Sequence, residues 1–145
     1  MATKSALRFH HDVEDELFLE VLQKTGSFEM KVKGGSMTPT ILQGDTVALL
    51  FIPEDQRLNI SLGEIVLRKN GEQFILHRVV GIRAQPRQLL TKGDGLAGPD
   101  CWSSPQGFFA RVKTATTPAG QSFAIGERVF GSSEKLRLRW RRFRR

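Results

Sequence analysis

Apolar residues recur along this chain with two different periods, and the change between them divides it. Val13, Leu17, Val21 and Leu22 stand at helical spacing. Asp12 can cap the first turn, Glu14 to Glu16 suit the positive end of a helix, and Gly26 stops it. One short helix is expected there, with those apolar residues as its stripe. From Phe28 the period falls to two: Phe28, Met30 and Val32 alternate with Glu29, Lys31 and Lys33, the pattern of a half-buried strand that runs into Gly34-Gly35-Ser36. After a turn at Gly44-Asp45, Thr46 to Ile52 reads as a buried strand, and Pro53 to Leu62 as an exposed, charged loop. Ile65 to Arg68 and Phe74 to Ile82 flank Asn70-Gly71, a strong signal for a tight hairpin. Gln88 to Thr91 is a further short strand, and Gly93 to Pro105 is irregular. Phe108 to Thr114 and Ser122 to Ile125 form a last hairpin about Pro118 to Gly120. The expected fold is mainly β with one N-terminal helix.

Composition narrows the class. The chain has 145 residues, 39% of them apolar, which suits one core. It divides into an N-terminal helical segment, 1–26, a body, 27–133, and a basic tail, 134–145. A single cysteine, Cys101, cannot close an intrachain disulfide and is expected to be a small packing residue. The longest apolar run is Val47 to Ile52, far too short for a bilayer span, and residues 1–15 lack the apolar segment of an export signal. The expected location is the cytoplasm. Of the net charge of +7, seven cations and one acid in residues 134–145 supply +6, leaving +1 for everything before. Arguments from basicity are therefore arguments about the tail. There Leu136, Trp140 and Phe143 would form a narrow apolar stripe among arginines if helical, suited to an anionic membrane surface. A solvated, unstructured end is the plainer alternative. No motif for reading nucleic acid accompanies the charge, so no specific nucleic-acid partner is expected.

Three groups could carry chemistry. Ser36 follows two glycines at a strand end, where a backbone lacking Cβ admits a close approach, and Pro39 stiffens the chain beyond it. Taken alone, Gly-Gly-Ser is usually only a turn. A serine hydroxyl needs a base, and His77, inside a predicted strand, is better held than His10 or His11 near the N-terminus. A strand histidine by itself is more often a satisfied, half-buried side chain. Asp94 and Asp100, six apart in a glycine-rich loop, both could orient an imidazole. Calcium-loop spacing and a Cys/His cluster are both lacking, so no metal or other cofactor is expected.

In order along the chain stand Gly35-Ser36-Met37-x-Pro39-Thr40, Gly44-Asp45, Gly63-Glu64-Ile65-Val66, His77-Arg78-Val79-Val80-Gly81, and Thr91-Lys92-Gly93-Asp94 with Asp100. This ordered set, over roughly residues 30 to 115, resembles the type I signal peptidase superfamily in its histidine form. The resemblance implies a signal-peptidase or LexA-like coiled β-sheet, a partly open barrel. It implies a serine endopeptidase that removes a signal, leader or propeptide segment from a precursor protein. Ser36 would be the nucleophile, His77 the general base, Asp100 the carboxylate fixing the ring, and Asp94 a supporting acid. The Ser36 N–H would serve the oxyanion, and Gly34, Gly35, Met37 and Pro39 would border the substrate, which would lie extended along the strand ending at Val32 to Gly34. The chain departs from the pattern in having Gly34 where many relatives carry a serine, and in lacking their membrane spans; the basic tail could supply peripheral membrane contact instead. The alternative reading is a catalytically silent fold of this type acting as a peptide-binding or membrane-surface module.

Overall fold

The computed structural model describes residues 12–70 and 73–125. The tip of the Asn70-Gly71 turn, His10, His11 and the basic tail lie outside the described residues. Helix α1 (Asp12–Thr25) is followed by β1 (Ser27–Lys31), β2 (Thr46–Phe51), β3 (Ile65–Asn70), β4 (Gln73–Ala84), β5 (Arg87–Lys92), β6 (Phe108–Thr116) and β7 (Ser122–Ala124). The seven strands among the described residues belong to one antiparallel sheet ordered β1-β2-β6-β3-β4-β5, with β7 also paired to β6. The mainly β expectation holds, and each expected strand is present.

Apolar side chains cover both faces of the centre of this sheet. Ile65 and Leu67 of β3 join one core with Phe18 and Leu22 of α1, whereas Val66 joins a second core with Ile52, Ile60, Val79, Leu89 and Phe108. A strand buried on both faces has no polar side, which is why Ile65-Val66-Leu67 is continuous instead of alternating. On the edge strand β1 the alternation is clean: Met30 is buried while Glu29 and Lys31 are exposed.

Two expectations are corrected. The stripe of α1 is corrected in part: Leu22 is buried as expected, but Leu17 is 58% and Val21 37% exposed, and Phe18 is buried in their place. The Phe18 ring meets Phe28 and Phe74 edge-on at 5.1 and 5.0 Å, and the larger aromatic surface sets which side of the helix turns inward. The side chain of Val13 and the cap expected from Asp12 lie outside the described side chains. The segment from Pro53 to Leu62 is not simply an exposed loop either. A 3₁₀ helix, Glu54–Asn59, buries Arg57, whose guanidinium donates to the carbonyls of Ile52 and Gln106 and faces the rings of Phe51 and Phe109. Because Phe18 and Leu22 enter the main core, α1 packs as part of the same domain as the sheet.

Candidate active site

His77 and Arg78 sit side by side in β4 and face opposite sides of the sheet, so each meets a different carboxylate from the loop after β5. His77 Nδ1 lies 2.6 Å from Asp100 Oδ2, and the same oxygen accepts the Thr91 hydroxyl at 2.6 Å. Arg68 Nη1 stands 3.7 Å from that carboxylate. Burial pushes the Asp100 carboxyl up, but the hydrogen bonds from His77 and Thr91, the charge of His77 and the charge of Arg68 outweigh it and hold Asp100 below the usual carboxylate range. An ionised Asp100 only accepts, so in the neutral form of the ring Nδ1 carries the proton and Nε2 has the lone pair.

Asp94 goes elsewhere. It accepts from Arg78 Nε at 2.8 Å and Nη2 at 2.6 Å, and from the Thr40 hydroxyl at 2.6 Å. Burial again raises its pKa, and the paired guanidinium, Thr40 and the charge of Lys92 more than offset that, leaving Asp94 low. Arg78 also donates to the Gly63 carbonyl at 2.8 Å. Of the two carboxylates that the loop offers, Asp100 orients the histidine, and Asp94 ties β4 to the turn that carries Ser36.

That turn is docked onto the acidic loop by backbone contact. Gly95 N–H donates to the Ser36 carbonyl at 2.9 Å, and Asp94 N–H to Met37 Sδ at 3.4 Å. A Cβ on Gly93 would lie 2.5 Å from the Ser36 carbonyl oxygen and 3.0 Å from His77 Nε2; one on Gly95 would lie 2.8 Å from the Thr38 carbonyl oxygen. One vacant Cβ position therefore touches both the free nitrogen of the imidazole and the backbone of Ser36. Among the described residues, none accepts the Ser36 N–H, and no hydrogen bond joins the Ser36 hydroxyl to His77.

Ser36 lines a cleft of about 290 Å³, together with Met30 to Gly34 and Met37 from one segment and Gln73 to Leu76 from another. Gly34 and Met37 border it as expected from the sequence; Gly35 and Pro39 do not. Among the described residues, both walls are strand edges without a neighbour. Val32 exchanges hydrogen bonds with Gly44 and Asp45, and the Gly26 carbonyl bonds Phe51 N–H, so the even-numbered residues of this segment face β2 and the odd-numbered main-chain groups face the cleft. The β4–β5 pairing starts only at Arg78, which leaves the stretch from Gln73 to Leu76 uncovered on that side.

Cys101 is exposed, so its expected packing role is overturned; the loop turns its side chain outward one residue after Asp100 points inward. The sequence assigns no role in the site to Thr91, Arg68, Arg78 or Thr40, although all but Arg68 stand in the blocks that carry the resemblance. Only the cross-strand register that sets Arg78 against Lys92 and Val79 against Thr91 brings β5 to His77, and no local sequence signal carries that register. Among the described residues no cluster of three or more metal-ligating side chains occurs, and no helix is long and apolar enough to cross a membrane. Comparisons with family models, with curated proteins and with solved structures return no match.

Proposed function

We propose that this protein is a serine endopeptidase of the signal-peptidase type, built on a coiled, partly open sheet, which trims a leader, signal or propeptide segment from a precursor. The observation that carries the reading is the His77–Asp100 pair at 2.6 Å with the other ring nitrogen turned to the Ser36 turn. Ser36 Oγ attacks the scissile carbonyl while its proton passes to His77 Nε2, and Asp100 steadies the imidazolium. The unclaimed Ser36 N–H stabilises the oxyanion. Collapse breaks the C–N bond, the imidazolium gives its proton to the leaving amine, and water, deprotonated by the same imidazole, hydrolyses the acyl-enzyme. The two open strand edges support an extended substrate lying between them as an added strand.

The test is active-site labelling. A fluorophosphonate should add once to the wild-type chain, at Ser36, and not to Ser36→Ala. The thermal midpoint of that variant should stay nearly unchanged, because the hydroxyl makes no hydrogen bond among the described residues. An unlabelled wild type, or a labelled Ser36→Ala, overturns the proposal. The lack of a hydrogen bond between Ser36 Oγ and His77 favours the second reading, a silent peptide-binding module. Free enzymes commonly tighten that contact only on binding substrate, so labelling decides between them.

A further inference from the structure

The groove beside Ser36 has a charge pattern of its own. Lys31 and Lys33 line it, both are exposed, and neither has an ion-pair partner among the described residues. Val32 between them is buried, as is Met30, so the two lysines stand on one face of the segment and the apolar pair on the other. No acidic side chain among the described residues lines the cleft. The main-chain groups of both lysines face the open side, away from β2.

A strand laid along this edge must alternate its own side chains in the same way. One set drops toward Met30, Val32 and the β4 wall at Phe74 and Leu76. The other set emerges on the rim beside Lys31 and Lys33, where opposite charges across a strand pair attract and like charges repel. We propose that the groove selects extended peptide segments in which apolar residues alternate with aspartate or glutamate; that such segments are then cut rests on the peptidase reading. Lysines on an edge strand also discourage unwanted pairing, and that role predicts no such selectivity.

The Ser36→Ala chain of 145 residues, which on the peptidase reading cannot cut, would be titrated by fluorescence anisotropy with matched peptides alternating valine with glutamate, with glutamine or with lysine. At low salt the glutamate peptide should bind about fivefold tighter than the glutamine peptide, with the lysine peptide weakest. The double variant Lys31→Gln/Lys33→Gln should lose the difference between glutamate and glutamine while still binding the glutamine peptide. Absence of binding, equal binding of all three, or a glutamate preference that survives the double substitution and so traces to other cations, each overturns the inference. Fluorophosphonate labelling of the wild type reports on the enzyme separately: a labelled Ser36 without acidic preference removes only the substrate inference, and an acidic preference with an unreactive Ser36 removes only the peptidase.

Discussion

Gly93 controls how closely the Ser36 turn lies against His77. Its missing Cβ is the space in which the Ser36 carbonyl and His77 Nε2 come together, at 2.5 and 3.0 Å from where that carbon would be. A methyl group there must displace backbone on one side or the imidazole on the other, at a cost of about 1–3 kcal/mol. Gly93→Ala should therefore fold with a modestly lowered melting temperature yet lose labelling of Ser36 by about 100-fold, since a shift of the order of 1 Å is enough to ruin a reacting geometry. Unchanged labelling kinetics in that variant would remove Gly93 from this role. Sequence reasoning assigned the close approach to Gly34 and Gly35, because they adjoin the serine. A Cβ on Gly35 meets only the Thr38 hydroxyl at 3.4 Å, and one on Gly34 meets nothing within 4 Å, although its φ of +81° still favours glycine there. The tight contact belongs to a loop some sixty positions along the chain, and spacing alone does not reveal which glycine has another backbone against it.

At the scale of elements, strands were legible and the orientation of the helix was not. Period-two alternation at Met30 and Val32, the continuous run from Ile65 to Leu67 and the turn between β3 and β4 each state a burial pattern that a strand must satisfy. In α1 two overlapping apolar sets, Leu17 with Val21 and Phe18 with Leu22, are both compatible with a helix, and which one is buried depends on what waits on the sheet. Phe28 and Phe74 wait there, and they select Phe18. Phe18→Ala should then cost about 3–5 kcal/mol in urea unfolding, whereas Leu17→Ala should change stability by no more than about 0.5 kcal/mol. Equal losses for the two variants would show that the face has been assigned wrongly.

For the whole molecule the decisive feature is how two carboxylates of one loop are shared between the faces of the sheet. Asp94 and Asp100 both titrate below their ordinary value: burial alone would raise each, while Arg78 and Thr40 for the first, and His77 and Thr91 for the second, more than reverse it. A carboxyl group with a lower pKa in the folded state than in the unfolded chain stabilises the fold fully above its unfolded value. That contribution disappears as the pH falls through the folded value. Stability should accordingly hold from neutrality down to about pH 4 as far as these groups are concerned and decline below it. Asp94→Asn should remove part of that acid dependence and, by leaving the buried Arg78 guanidinium without its counter-charge, cost about 3–5 kcal/mol at neutral pH. Urea titrations of both chains at neutral and acid pH would check this, and an acid decline of equal size in both would show that Asp94 does not contribute.

The order of strands along the chain, the hairpins, the serine turn and the place of His77 inside a strand follow from residue types and their periods, because those properties are local: an alternating segment must bury one face, and a glycine pair before a serine must bend. The division of labour between Asp94 and Asp100, the support from Thr91 and Arg68, and the glycine that lets the Ser36 turn pack beside His77 depend on cross-strand register and on which loop lies over which turn. Those are contacts between residues far apart in the chain, set by how the whole sheet folds around its two cores, and only the tertiary structure decides them.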